Sequence, residues 1–484
     1  MRPKLPEIAG LVILLVITGY QLFIPHVIGV SDNGDFARLF HPAGLEQIPT
    51  DHSDKYFDYF NVKYRIVARP LEPAQYESSA IFFVRAARWL NIRLLDKGVF
   101  DIRVLGAVYL SCFLFGSYLV LVSMRQLKPW CRVTASAVFL FFYSDPPYVA
   151  MFNSFYAEAA ALVCVVVIAG CSLILISRQS RSWAAMAGYF VACAVLVTAK
   201  PMYVPAAVAF AAFGVYLSRY LIVKGRYWLS GALACGLLAV ATWYFEQTPE
   251  WLKFNVRYIG VFTTTLLYSP TPGKDLEEME LNPEWARYSG STPYQPDSPA
   301  LTDPAFRAEF LHRVRPLTVT RFLLTHPARF YKAASNAAGM ILTTRPRYAG
   351  YYEKVTGKPP LTQPVAIWSS VRASIFPASV WLLIAFFGTG AGAAVLAFWR
   401  RLPDPWTGLL ALYSMFAAFA ATIFFVPVLT MGAIDPRYSV SFTSAFDIDL
   451  IIILVGAVYS RAIYRQLVSS RDPVKSAGEA AVTI

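Results

Sequence analysis

Charge is scarce in this sequence. Charged residues make up 15% of the 484 positions, against roughly a quarter in a soluble domain of similar size. Hydrophobic residues make up 56%, and the mean hydropathy is +0.47. The deficit of charge falls in long apolar runs, which excludes a soluble globular protein and points to an integral membrane protein. Cysteine is sparse too. Cys112, Cys131, Cys164, Cys171, Cys193 and Cys235 lie in or at the ends of apolar runs, without CxxC spacing, so no disulfide framework is expected. Of the five histidines, His41 and His52 have aspartates nearby, but their spacing fits no standard metal motif, and no metal or other cofactor is expected. A phosphate-binding Walker loop, a dinucleotide fingerprint, a nucleophile elbow and an internal repeat are all missing. The net charge of +13 does not imply nucleic acid. Most basic residues outside the apolar runs sit in short loops, where they set membrane orientation.

What is present is a series of spans. After Met1-Arg2-Pro3-Lys4 comes an apolar run from Ile8 to Ile28, longer than the core of a cleaved signal peptide and expected to stay as the first span. The expected spans are 8–28, 102–124, 133–150, 157–177, 183–199, 202–221, 228–246, 374–398, 406–430 and 443–463. Each is long enough for a hydrocarbon core of ~30 Å. The short loops on one side carry Arg125, Lys128 and Arg132, Arg178 and Arg181, Arg219, Lys224 and Arg226, and Arg400 and Arg401. The tail adds Arg461, Arg465, Arg471 and Lys475. The positive-inside rule makes this side cytoplasmic. The expected fold is all-α and polytopic, with about ten transmembrane helices, both termini cytoplasmic and two long loops on the outer face. Residues 1–246 form the N-terminal membrane core, including the first outer loop (29–101), whose stretch from Ser79 to Leu95 reads as a basic amphipathic helix in the interface. Residues 247–372 form a long outer loop or small helical subdomain, with helices expected near 304–326 and 327–343. Residues 373–463 return to the membrane, and 464–484 form a polar tail.

The outer face collects the residues able to carry chemistry. Ser31-Asp32-Asn33-Gly34-Asp35-Phe36-Ala37-Arg38 sets two carboxylates about a turn signal at the mouth of the first span. Either geometry, helix or turn, presents one carboxylate to a substrate and leaves the other to tune it; the bland alternative is a cap and a solvated turn. Partial desolvation at the headgroup boundary is expected to raise a carboxyl pKa and suit it to general-base work. Asn153, Ser154, Tyr156 and Glu158 suit a hydroxyl-rich ligand, although the helix dipole alone accounts for Glu158. Lys200 either snorkels to the headgroups or neutralises a phosphate. Arg437, followed by Tyr438, has the fork geometry for a lipid phosphate. Asp447 and Asp449 lie inside the last span, where charge is costly and is either functional or paired with Arg437 or Lys200.

Set in order, an acidic motif in the first outer loop, an interfacial helix, a multi-span core and a late outer Arg-Tyr resemble the GT-C superfamily of integral membrane glycosyltransferases. More narrowly, Asn33-Gly34-Asp35-Phe36, Phe152-Asn153-Ser154-Phe155-Tyr156 with Glu158, and Lys200-Pro201 resemble bacterial WsfD-like glycan-biosynthesis hexosyltransferases. The likeness runs over most of the chain. It implies a GT-C-like fold in the bacterial inner membrane, a polyprenyl-phosphate sugar donor, and an acceptor glycan on the periplasmic or outer face. By this resemblance Asp35 is the catalytic base with Asp32 its neighbour, and Arg437 meets the donor phosphate; Lys200 and Arg38 are expected beside it as further phosphate contacts. Asn153, Tyr156, Glu158 and Tyr438 then contact sugar or acceptor. Many relatives have an adjacent acid pair, whereas Asn33-Gly34 separates Asp32 from Asp35 here, so the choice of base stays open. The implied reaction is an inverting transfer. The rivals are a transporter or flippase for a lipid-linked or anionic solute, and an outer-face transferase of acyl or phospho groups. Transporters usually show paired repeats and broken helices with midplane charge, which this sequence lacks.

Overall fold

The structure is a computed structural model that describes residues 4–68, 77–177, 183–221, 225–343, 346–399 and 406–469. Arg178, Arg181, Lys224, Arg400, Arg401, Arg471 and Lys475 lie outside the described residues, as does the rest of the tail beyond 469. The chain is mostly helical. In order, the helices that build the site and its frame are α1 (Leu5–Phe23), α2 (Ala80–Leu94), α3 (Ile102–Ser123), α4 (Pro129–Tyr143), α5 (Ala157–Ile176) and α6 (Trp183–Val197). They continue with α7 (Ala207–Leu217), α8 (Arg226–Glu246), α9 (Glu250–Tyr258), α10 (Ile367–Ile375), α11 (Val380–Trp399), α12 (Trp406–Met431) and α13 (Tyr438–Ser469). Among the described residues, eight helical stretches are long and apolar enough to cross a membrane. Each of the ten expected spans has a helical counterpart, but α4 and α6 have only 15 residues each. Helix α4 ends at Tyr143, short of the expected 150, because Asp145-Pro146-Pro147 follows and a residue before proline disfavours helical backbone.

Helix α5 is the axis of the bundle. It is buried on almost every side and packs on α3 and α6. A Cβ on Gly170 would stand 2.7 Å from Leu119 Cβ and 2.9 Å from the Gly116 carbonyl. Paired small residues thus let the α3 and α5 backbones approach as membrane helices often do. The stretch expected to lie in the interface is helical, as α2, with Ile81, Val84 and Ala87 turned inward. Phe82, Trp89 and Leu94 are 68%, 59% and 73% exposed, an apolar face that the membrane interface would cover. The chain also has a small antiparallel sheet that the sequence pattern did not indicate. It comprises β1 (Leu45–Gln47), β2 (Lys63–Ile66) and β3 (Val99–Asp101), with Leu45 opposite Ile66 and Tyr64 opposite Phe100. Strands this short show too little alternation to read.

The second long polar segment, residues 247–372, holds helices Pro304–Arg313, Thr318–Thr325 and Pro327–Ile341. It has its own aromatic core of Phe254, Tyr258, Phe262, Trp285, Phe306 and Phe310. At its end, α10 enters the bundle and carries a fully buried arginine. Arg372 Nη1 donates to Asp447 Oδ2 at 2.8 Å and to the Tyr148 hydroxyl at 3.0 Å. Tyr148 Oη and Trp368 Nε1 donate to the same Asp447 oxygen, each at 2.7 Å. Asp145 accepts from the backbone N–H groups of Trp368 and Ser369 and from the Ser369 hydroxyl. The pairing expected of Asp447 with Arg437 or Lys200 is therefore replaced by Arg372. The cause is depth: Asp447 lies roughly 14 Å along α13 from its first residue. Asp449, also fully buried, has no hydrogen-bond partner for either oxygen among the described residues.

Candidate active site

The acidic stretch between α1 and the sheet folds as a turn. Asp32 Oδ1 accepts from the N–H groups of Gly34 (2.7 Å) and Phe36 (3.0 Å), and Oδ2 accepts from Gln47 Nε2 (2.9 Å). Gly34 takes a positive φ of 98°, which L side chains rarely adopt. Gly34→Ala is expected to lower stability by about 1 kcal/mol through backbone strain. No atom stands within 4 Å of the added methyl, so a thermal melt would report that strain without a clash. Tyr156, fully buried at the head of α5, holds the turn from below: its hydroxyl donates to the Ser31 carbonyl (2.8 Å) and accepts from the Asn33 N–H (3.1 Å). Asn153 Nδ2 donates to the carbonyls of Leu22 (3.2 Å) and Ile28 (2.8 Å), tying the end of α1 to the bundle.

The turn aims Asp35 at a pair of arginines. Asp35 Oδ1 meets Arg38 Nη2 and Oδ2 meets Arg437 Nη2, both at 2.7 Å. Arg437, just before α13, is only 3% exposed and lies 4.7 Å from the Tyr156 ring centre. Asp435 fixes it through its own backbone N–H (2.9 Å), Nε (3.1 and 3.2 Å) and Nη2 (2.6 Å), and Tyr348 Oη donates to Asp435 at 2.9 Å. Arg437 Nη1 is buried and has no hydrogen-bond partner among the described residues. These groups open on a cavity of about 850 Å³ lined from three directions. The first long polar segment gives Asn33, Asp35, Arg38 and His52, the second gives Trp251, Asn255 and Tyr294, and the α12–α13 connection with the first residue of α13 gives Asp435, Arg437 and Tyr438.

The family model described as the YfdI N-terminal transmembrane domain matches residues 2–476. The chain belongs to that family. It is a multi-pass membrane protein. Two solved structures also resemble it, the archaeal oligosaccharyltransferase AglB from Archaeoglobus fulgidus in complex with an inhibitory peptide and a dolichol-phosphate, and an Archaeoglobus fulgidus oligosaccharyltransferase in the apo form. Each has 14% identity and a TM-score of 0.41, over 96% of this chain and 52% of the other. This YfdI-type domain therefore spans about half the length of those chains. No curated protein matches it.

In this YfdI-family chain the nine residues read from the sequence separate into two groups. Asp35, Arg38, Arg437 and Tyr438 line the cavity; Asp32, Asn153, Tyr156, Glu158 and Lys200 do not. Lys200 is 8% exposed, pairs with Glu158 Oε1 at 2.5 Å and lies 4.3 Å from the Tyr438 ring centre. It supports the wall from behind. Asp435, Tyr348, Trp251, Asn255 and Tyr294 were not singled out as site residues. Asp435 had a local signal, two positions before Arg437; the others reach the cavity through long-range packing.

The electrostatics reverse one expectation. Burial would raise the Asp35 carboxyl, but Arg437, Arg38 and Lys200 together outweigh it and hold Asp35 below the usual carboxylate range. The raised carboxyl is Asp32. Burial pushes it up to about 7, against the Phe36 and Gly34 N–H groups and with a further push from Asp35. The folded protein keeps a proton on Asp32 up to about pH 7, while the unfolded chain releases it near 3.8. Stability from this group is complete below 3.8 and is lost as pH rises to about 7. Asp32→Asn removes that loss, because the side-chain oxygen still accepts both N–H groups and Gln47 can turn to face the new amide. Its melting temperature relative to wild type should therefore climb between pH 4 and pH 8. A difference independent of pH would assign the proton elsewhere.

Proposed function

We propose that this chain is a membrane glycosyltransferase of the GT-C kind, moving a hexose from a polyprenyl-phosphate donor to an acceptor glycan on the outer face of the bacterial inner membrane. The observation that carries this reading is Arg437: a buried, permanently charged guanidinium at the wall of a large cavity, held by Asp435, with Nη1 unengaged and Asp35 against Nη2. A phosphate oxygen satisfies such a donor with a charge-assisted bond. Arg38, already on Asp35, supplies the second cation. A phosphate entering between them competes for both arginines and loosens their hold on Asp35. Relieved of that charge, the carboxylate becomes more basic. It takes the proton of an acceptor hydroxyl, whose oxygen forms a bond to the anomeric carbon as the carbon–oxygen bond to the lipid phosphate breaks. The departing phosphate oxygen keeps the electron pair of that bond, the arginines hold its negative charge, and the anomeric centre inverts. Base assistance of this kind contributes about 100- to 10,000-fold.

The test is the mass of lipid-linked and surface glycans in the native host with Asp35→Asn at matched protein level. Glycans short by one hexose, with the unextended acceptor accumulating, are the expected result, and Asp32→Asn should keep full-length glycan. Unchanged glycans in the Asp35 variant would remove it as base. The pH dependence of kcat/KM gives a second test, since it reports the free enzyme. With Asp35 as base its acid limb lies below the usual carboxylate range, because the arginines lower the carboxyl. With Asp32 as base it lies near 7.

A further inference from the structure

The wall given by the second long polar segment differs in character from the ionic end of the cavity. Trp251 and Asn255 stand one turn apart on α9 and so share a face, and Tyr294 comes from the loop beyond. The Arg38 guanidinium lies 5.2 Å from the Trp251 ring centre, so one residue touches both the Asp35 carboxylate and this wall. The Trp251 indole N–H is buried and finds no acceptor among the described residues. Leaving such a donor without a partner is costly, and a ligand oxygen removes that cost. Asn255 Nδ2 reaches the Tyr294 hydroxyl only at 3.4 Å, near the outer limit of a hydrogen bond and easily exchanged for a ligand group. Burial pushes the Tyr294 hydroxyl pKa up, and Arg38, Asp35 and Arg437 all act on it electrostatically. That hydroxyl therefore stays protonated close to the ionic end. An aromatic ring, an amide and a phenol on one wall suit a ring that is apolar on its faces and hydroxylated at its edge.

We infer that Trp251, Asn255 and Tyr294 form the subsite for the pyranose ring of the lipid-linked donor and set which sugar is accepted. The inference rests on the proposed phosphate site at Arg437 and Arg38. The anomeric carbon of the donor is bonded to a phosphate oxygen, so a phosphate on Arg38 leaves its sugar beside the residue that Arg38 covers, Trp251. The assignment moves sugar recognition away from Asn153, Tyr156 and Glu158, which lie outside the cavity wall.

The test compares the purified full chain in nanodiscs for binding of undecaprenyl phosphate and of its glucosyl, galactosyl and mannosyl esters. Wild type should bind one of the esters at least about tenfold more tightly than the bare lipid phosphate, because a hydroxyl-recognising site discriminates strongly. Trp251→Phe, which keeps a ring beside Arg38 and removes the N–H, and Asn255→Ala should bring that ratio to within about threefold, by weakening the sugar ester far more than the bare phosphate. Equal weakening of both ligands in the variants would overturn the subsite, as would a wild type that gains nothing from any of the sugars. Variants that weaken only acceptor KM would overturn the donor assignment in favour of an acceptor sugar. Failure of the underlying reading looks different: wild type then binds no bare lipid phosphate, or Arg437→Met leaves that binding intact.

Discussion

Arg437→Met should reduce hexose transfer by about 1,000-fold or more. The removed guanidinium serves three partners. It is the proposed contact of the departing phosphate, it holds Asp35 at 2.7 Å, and it neutralises Asp435, which grips it at two nitrogens and through the backbone. Loss of one charge-stabilising donor costs about 100- to 1,000-fold in comparable sites, and the variant also leaves two neighbouring carboxylates without their shared cation. Arg437→Lys should recover little, since an ammonium cannot bridge Asp435 and Asp35 while presenting a further donor to phosphate. Asp435→Asn should be milder, because Arg437 keeps its charge and its contact with Asp35 but loses its fixed orientation. Initial rates with purified protein at matched folding state would check the order. An Arg437→Met enzyme that transfers at the wild-type rate would leave the proposed phosphate site without its carrier.

The second large effect is on folding. Arg372→Met removes a fully buried cation from Asp447, and breaking such a pair costs about 3–5 kcal/mol. That is a large part of the stability of a typical domain, so the variant should unfold in mild denaturant or accumulate poorly. Arg372→Met with Asp447→Leu should recover about half of the loss, because the lone buried charge is gone while Tyr148 and Trp368 still lack their acceptor. Chemical unfolding in detergent micelles would measure both. If the single variant were as stable as wild type, the Arg372–Asp447 pair would not be what anchors α10 in the bundle.

The Asp32–Asp35 stretch shows how far local sequence carries. The Asn-Gly signal indicates a turn, and a turn forms, with Gly34 at positive φ and Asp32 capping it. The residue types do not say which carboxylate faces the cavity. Asp32 turns inward to three N–H donors and becomes the raised carboxyl, while Asp35 faces outward and is lowered by arginines, one of them about 400 positions away in sequence. The same holds for Asn153, Tyr156, Glu158 and Lys200. As residue types they suit a sugar or a phosphate, but packing engages each with backbone or with one another.

By itself the sequence determined that the chain is a helical membrane protein, where most of its membrane helices fall, and that an acidic turn follows the first of them. These are local properties, set by the length of apolar runs, by proline and by turn chemistry. Only the tertiary structure decided that Asp447 belongs to Arg372, that Asp35 belongs to Arg38 and Arg437, and that α9 and Tyr294 wall the cavity. Those pairings depend on which residues the folded bundle brings to the same depth and the same face, and short-range pattern holds no record of that.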